Sequence, residues 1–289
     1  MKRRITQLLS AVLANSYFLG WKRGSIYQGS LKQVCVPFLN CYSCPGALGA
    51  CPVGAFQSLL AARTKTFSLY ILGFLAAVGA LGGRFVCGWL CPFGLVQELL
   101  HKLSRLRLQI PRLLELGKYL VLILTLALPL LWRNPLTGLA EPYFCKFICP
   151  AGTLEAGIPL TALNPNLAAL TGWLFSWKVL FLLIVLVVSI FIWRPFCRTL
   201  CPLGAFYGLL NRFSIWRLRV DTHQCVNCGA CSRACKAALT PYRNPNSGAC
   251  VRCLECISAC PTHALSFSRD HRVGIPNRHS ARPPIKLGR

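Results

Sequence analysis

The sequence predicts a two-part chain: an α-helical membrane domain with about four spanning helices, followed by a small, cysteine-rich α+β domain. Three observations carry this. Only 13% of the 289 residues are charged, about half the share usual in a soluble protein, and the mean hydropathy is +0.51. Several apolar segments approach the length needed to cross a bilayer. Eighteen residues are cysteine, and eight of them fall in two matched runs near the C-terminus.

In chain order, an apolar stretch over 5–17 follows the basic start Met1-Lys-Arg-Arg. A basic lead and short apolar core also describe a signal peptide. No clean small-x-small cleavage site follows, so an uncleaved first span near 5–21 is favoured, although Asn15 and Ser16 weaken it. Segments 66–83, 117–132 and 173–193 read as spans, with Trp132, Trp173 and Trp193 where an interfacial belt places them. A buried soluble helix is the alternative for any one segment, but three in so apolar a chain leave it little room. The membrane domain is then 1–213.

Four spans put both termini on one side, and positive charge selects which. Lys2, Arg3 and Arg4 lie at the N-terminus, Arg84, Lys102, Arg105, Arg107 and Arg112 in the 84–116 loop, and fifteen Lys and Arg in 194–289. The 133–172 loop has only Arg133 and Lys146; the 22–65 loop, with five, fits less well. The expected location is the cytoplasmic membrane of a bacterium or archaeon, with both termini and the cysteine-rich domain in the cytoplasm. That compartment is reducing and disfavours disulfides.

Ten cysteines lie in the membrane domain. Cys-Pro-x-Gly occurs four times, beginning at Cys51, Cys91, Cys149 and Cys201, and three copies have a second cysteine four residues upstream, at Cys87, Cys145 and Cys197. The first is preceded instead by Cys41-x2-Cys44. This reads as an internal duplication, each half comprising an outer cysteine element, a span and an inner cysteine element. Proline suits the first helical position, which sets the cysteine near the N-cap, where free N–H groups favour an anionic thiolate or cluster. Glycine lets a bulky group approach the backbone. Cys87, Cys91, Cys197 and Cys201 fall on the cytoplasmic side, either as four ligands of a further cluster or as buried structural thiols. Cys35, Cys41, Cys44, Cys51, Cys145 and Cys149 fall outside. For Cys41, Cys44, Cys51, Cys145 and Cys149 a metal site, a cluster, a disulfide pair and a redox-active thiol pair all stay open.

The C-terminal runs are Cys225-x2-Cys228-x2-Cys231-x3-Cys235 and Cys250-x2-Cys253-x2-Cys256-x3-Cys260-Pro261. In the bacterial ferredoxin pattern each run gives three thiolates to one [4Fe–4S] cube and its fourth to the other. Cys225, Cys228, Cys231 and Cys260 would hold one cluster, and Cys250, Cys253, Cys256 and Cys235 the second. Zinc sites use two short pairs rather than a third and fourth cysteine at these steps. The predicted domain covers 214–268: a strand at 217–220 after a linker at 214–216, then two short helices between short strands, with Leu239 and 265–267 closing the halves. Residues 269–289 form a basic tail. Lys236 stands where the second run has Pro261, which changes the turn and removes no ligand.

The formal charge of +25, from 32 Lys and Arg against seven acids, first suggests nucleic acid. The basic residues instead interleave with cysteines or flank apolar segments. Anionic lipid and clusters, each cube with its thiolates carrying roughly −2, account for them. Arg233, Lys236 and Arg252 would steer an acidic partner or form a solvated face. His101 is a candidate quinone contact at the membrane edge.

Together, these runs and the two inner Cys-x3-Cys-Pro elements resemble the NapH-type membrane polyferredoxins, and the same core resembles the C-terminal part of the membrane regulator of nitrous-oxide reduction. The likeness runs from the motif NCYSCP at Asn40 through the last cluster run. The resemblance implies four helices and a cytoplasmic domain holding two [4Fe–4S] clusters, with further clusters in the membrane part open. It implies an electron-transfer subunit of a quinol dehydrogenase-like system rather than a stand-alone enzyme. Such a chain would relay electrons between cytoplasmic carriers or the quinone pool and a membrane or periplasmic oxidoreductase. A metal-handling, metal-reducing or assembly protein, and a redox-sensing regulator, are the alternatives.

Overall fold

The computed structural model of the chain describes residues 2–62, 69–104, 106, 108–132 and 140–269. Helices α1 (Lys2–Ala14) and α2 (Phe18–Arg23) lead into an irregular segment, then α3 (Pro52–Ala62), α4 (Leu69–Gly82), α5 (Phe85–Trp89) and α6 (Pro92–Leu100). Helix α7 (Arg112–Leu131) joins the two halves. The second half has α8 (Pro150–Gly152), α9 (Ile158–Leu163), α10 (Pro165–Ala169), α11 (Trp173–Phe191), α12 (Pro195–Thr199) and α13 (Pro202–Leu210). The cysteine-rich domain has β1 (Arg217–Val220), α14 (Ala230–Arg233), α15 (Glu255–Ser258) and β2 (Leu265–Ser268).

Among the described residues two helices are long and apolar enough to cross a membrane, Leu113–Leu131 and Trp173–Phe191, each about 28 Å long at 1.5 Å per residue. Only 22% and 17% of their apolar windows are buried inside the chain. Leu120, Ile123, Leu180, Leu183 and Ile184 point outward. The core helix of a soluble protein would bury such residues, so these faces call for an apolar solvent. Helix α4, with 14 residues, is shorter than the span expected at 66–83, whose first residues lie outside the described ones.

The expected first span over 5–21 is not one helix. Asn15 donates through Nδ2 to Ala11 O at 3.0 Å and to Asn40 Oδ1 at 2.9 Å, while the Tyr17 amide donates to Gly46 O. The chain leaves helical geometry to make these bonds, and α2 starts afresh at Phe18.

The halves interlock. Helix α13 of the second half packs on α4 of the first and on α7, while α6 of the first half packs on α11 of the second. This crossing brings the inner cysteine elements of both halves into one core, with Phe93 against Phe196 edge to face at 5.5 Å.

In the C-terminal domain β1 and β2 pair antiparallel, Arg217 opposite Ser268 through Val220 opposite Leu265. The further strands expected between the two halves are not formed among the described residues. The linker expected at 214–216 is docked: Ile215 N–H donates to Ala80 O at 2.7 Å and Trp216 N–H to Leu81 O at 3.0 Å.

Candidate iron–sulfur sites

The two C-terminal runs are related by a shift of 25 residues, Cys225 to Cys250 through Cys235 to Cys260. The backbone repeats with them: Asn227 and Arg252, Gly229 and Leu254, Ala238 and His263 all have positive φ, between 52° and 71°. Left-handed backbone at non-glycine residues is costly and is kept where a loop must turn its amides inward. The amides of Arg252 and Glu255 bond to the thiols of Cys250 and Cys253, and that of Tyr242 to Cys231. At Cys260, burial pushes the thiol up, but the Thr262 hydroxyl and the amides of Thr262, Ala264 and Leu265 outweigh it and hold the thiol below its usual range.

One cavity is lined by Cys225, Cys228, Cys231 and Cys260, with Tyr242 and Leu265 in its wall. A second is lined by Cys235, Cys250, Cys253 and Cys256, with Leu218, Leu239 and Leu254. These are the two crossed sets of the ferredoxin pattern. Among the described residues no three His, Cys, Asp or Glu side chains converge on a single-ion position. The thiols stand around a hollow instead, which suits a polynuclear cube better than one tetrahedral ion.

The loops that carry the second set rest on the membrane domain. A Cβ on Gly88 would lie 2.3 Å from Val251 O, and one on Gly208 would lie 2.7 Å from Gly248 O. Trp89 Nε1 donates to Arg252 O at 3.1 Å, Arg84 Nη1 to Gly248 O at 2.9 Å, and Arg198 Nη2 to Ala237 O at 3.1 Å. Trp193, Ala237 and Val251 form a small core packed against Cys235 and Cys253. Arg252 is not a steering residue. It is 2% exposed and donates to Gly82 O, Asn211 O and Ser214 Oγ at 2.7–2.8 Å, tying the cluster loop to the end of α4. Arg233 donates to Cys228 O, and Lys236 pairs with Glu255.

Cys87, Cys91, Cys197 and Cys201 are all buried and lie within electrostatic reach of one another. Cys91 and Cys201 are N-caps with extended backbone, proline follows each as the first helical residue, and Cys201 Sγ accepts from Gly204 N–H at 3.3 Å. Gln97 Nε2 donates to Cys197 Sγ at 3.1 Å. Burial pushes the thiols of Cys91, Cys197 and Cys201 up.

Two arginines that sequence reasoning did not connect to this site surround it. Arg84 and Arg194 are 0% exposed. Arg84 Nη2 donates to Cys197 O at 2.8 Å, and Arg194 Nη1 donates to Cys87 O. Glu98 lies 3.0 Å from Arg194 Nε and is shared with Arg3 at 2.8 Å, while Glu115 pairs with Arg198. Arg84 Nε and Arg194 Nη2 have no hydrogen-bond partner among the described residues. Unbalanced buried charge costs several kcal/mol per ion, so the pocket fits a bound anion, as a cube with four thiolates would be. The signal was in the duplication: arginine stands three residues before Cys87 and again before Cys197. The glycines of these elements make the room, since a Cβ on Gly94 would lie 3.0 Å from Arg194 Cζ and one on Gly204 3.1 Å from Arg84 Nη2.

Of the five expected outer ligands the structure groups four. Cys41, Cys51, Cys145 and Cys149 lie within electrostatic reach of one another. Cys44 packs with Ala47 and Ala156 against Cys41, within electrostatic reach of that one thiol of the four, and faces Glu155 and Lys32. Cys35 lies beside Cys51. Cys41 N–H donates to Glu155 Oε2 at 2.7 Å, and burial pushes that carboxyl up to about 7 against the effect of this bond. No disulfide joins any of the eighteen cysteines. His101 is buried, its Nδ1 3.2 Å from Ile190 O, so it does not present itself at a membrane edge.

Compared with known families, residues 49–69, 64–111, 119–158 and 170–220 match a 4Fe-4S binding domain, and residues 244–266 match a second 4Fe-4S binding domain model. The first covers the four Cys-Pro-x-Gly elements, beginning after Cys35, Cys41 and Cys44, and the second covers the later ferredoxin run. The chain is 33% identical to an uncharacterized protein of Methanocaldococcus jannaschii, across 71% of this chain and 70% of that one. It is 28% identical to the ferredoxin-type protein NapH of Haemophilus influenzae, across 92% and 88%. Against the methylamine utilization ferredoxin-type protein MauN of Methylorubrum extorquens it is 32% identical, across 79% and 73%. No solved structure matches.

Proposed function

We propose that this chain, which belongs to the 4Fe-4S binding domain family, is a membrane-bound electron relay between cytoplasmic carriers or the quinone pool and a membrane or periplasmic oxidoreductase. The observation that carries this is the bridge made by Arg84, which donates both to Gly248 O beside the second ferredoxin set and to Cys197 O of the inner four cysteines. Bound clusters supply one-electron redox steps. The residues of the chain do the rest. Cys225, Cys228, Cys231 and Cys260 form the far site, and Cys235, Cys250, Cys253 and Cys256 the near one. Cys87, Cys91, Cys197 and Cys201 form a third site inside the membrane part, and Arg84 and Arg194 balance its negative charge. Arg252 and Trp89 clamp the near site against it.

The proposal divides the chain into a membrane domain at 1–213, a 2[4Fe–4S] unit at 214–268 and a basic tail, of which 270–289 lies outside the described residues. Four crossings are part of it, α4, α7 and α11 with the broken N-terminal pair α1 and α2 in place of the single first span. Arg3 Nη2 lies 3.1 Å from Glu255 Oε1, which supports the N-terminus and the ferredoxin unit sharing a face, taken here as cytoplasmic. Lys32, one of the five basic residues that weakened that orientation, is 6% exposed and donates to Ala47 O at 2.7 Å.

The test is anaerobic purification in detergent with iron, acid-labile sulfide and EPR measured per chain. The ferredoxin unit accounts for about eight irons, and Cys197→Ser should remove about four more from the total while both ferredoxin signals persist. Zinc in place of iron, or no iron, contradicts the relay.

A further inference from the structure

We infer that Cys41, Cys51, Cys145 and Cys149 form a second four-thiolate iron–sulfur site within the membrane domain, with Cys44 and Cys35 excluded from it. The inference extends the relay reading and rests on it.

Each inner element gives two cysteines to its pocket, one pair from each half of the duplication. The outer elements do the same, with a change of spacing. The second half supplies Cys145 and Cys149, and the first supplies Cys51 together with Cys41, ten positions upstream. The halves face each other through their glycines. A Cβ on Gly54 would lie 3.6 Å from Cys145 Sγ, and one on Gly152 would lie 3.5 Å from Cys41 Sγ and 3.8 Å from Cys149 Sγ. Each glycine of one half thus opens onto a thiol of the other. Cys149 caps α8, its Sγ accepting from Gly152 N–H at 3.4 Å, as Cys201 does at the inner site.

A buried cation again accompanies the thiols. Lys32 is 6% exposed, lies near Cys41 and Cys44, and has the Ala47 carbonyl and the Tyr42 ring, 4.8 Å away, as its contacts. Lys178 Nζ donates to Cys145 O at 3.2 Å. Lys32 and Lys178 offset part of the charge of a cluster bearing four thiolates, with Glu155, bonded to Cys41 N–H, as the acid beside it. The two membrane sites are also close to each other. Tyr207 is 0% exposed, donates from its hydroxyl to Pro37 O at 3.0 Å, and lies within electrostatic reach of Cys87 and Cys201 on one side and Cys51 and Cys35 on the other.

The test compares the wild type with Cys41→Ser, Cys149→Ser and Cys44→Ser, purified anaerobically after growth on 57Fe, by iron and sulfide counts, EPR and Mössbauer spectroscopy. Cys41→Ser and Cys149→Ser, taken from opposite halves, should each lose equal numbers of iron and sulfide, about four for a cube, and Cys44→Ser should lose none. Retention of the ferredoxin EPR signals in the same samples shows that the variant has folded. The inference is overturned if both variants keep the wild-type count, if Cys44→Ser loses as much as Cys41→Ser, or if the metal lost is a single ion without sulfide. A wild type lacking even the eight irons of the ferredoxin unit would sink the relay reading itself, which is a different outcome.

Discussion

Arg84, Arg194 and Glu98 show how much of this molecule is decided by single buried charges. In the sequence Arg84 counts as one more loop cation, because a charge tally does not distinguish a solvated guanidinium from a buried one. The structure places it and Arg194 at 0% exposure beside four thiols, with Glu98 at 4%. Glu98→Gln leaves Arg194 without an acid and should cost about 3–5 kcal/mol, measured as a fall in melting temperature in detergent. Burial raises the Glu98 carboxyl, but Arg194 and then Arg3 outweigh it and hold the group below the usual carboxylate range. Its contribution is therefore complete above the ordinary glutamate pKa of about 4.3 and is lost as pH falls through the lower folded value. Melting should decline on acidification below that point, and Glu98→Gln should flatten the decline. Arg84→Gln should lower the potential of the inner site by removing a nearby cation, seen in an EPR-monitored redox titration with the potential of the far ferredoxin site, Cys225, Cys228, Cys231 and Cys260, unmoved.

At the scale of elements, the short helices that begin at Cys-Pro are the recurring device. Proline after cysteine announced α6, α8 and α13 in the sequence because the first helical position tolerates a missing N–H. The eight-cysteine spacing announced the two crossed cavities for a similar reason, since ligand geometry leaves few alternatives. What the sequence hid was long-range. The break after Ala14 depends on Asn40 and Gly46, more than 25 positions away. Arg252 read as solvated because nothing local shows that α4 ends against it. Likewise the approach of Gly152 to Cys41 Sγ comes from the other half of the membrane domain. The seating of the ferredoxin unit rests on glycines at the contact. Gly88→Val forces a side chain against the Val251 carbonyl, and it should weaken docking by about 1–3 kcal/mol. Limited proteolysis should then cut within 240–252 faster than in the wild type, with both ferredoxin EPR signals retained.

For the whole molecule, the composition that reads as membrane, the lipid-facing α7 and α11, and the ferredoxin unit clamped on the inner cysteine pocket combine into one path. The proposed electron route runs from the far cavity to the near cavity, to the inner four cysteines and toward the outer thiols past Tyr207. If the N-terminus and the ferredoxin unit share the cytoplasmic face, protease added to right-side-out vesicles should leave both intact and added to inverted vesicles should cut them. The relay itself is tested most directly by reducing the protein in proteoliposomes and following cluster absorbance after adding a membrane-soluble quinone analogue, which takes up two electrons and two protons per molecule. The account predicts reoxidation in the wild type and at least about a tenfold slower rate in Cys197→Ser, equivalent to about 1.4 kcal/mol in the barrier. Reoxidation of Cys197→Ser at the wild-type rate, or none in the wild type, would contradict it.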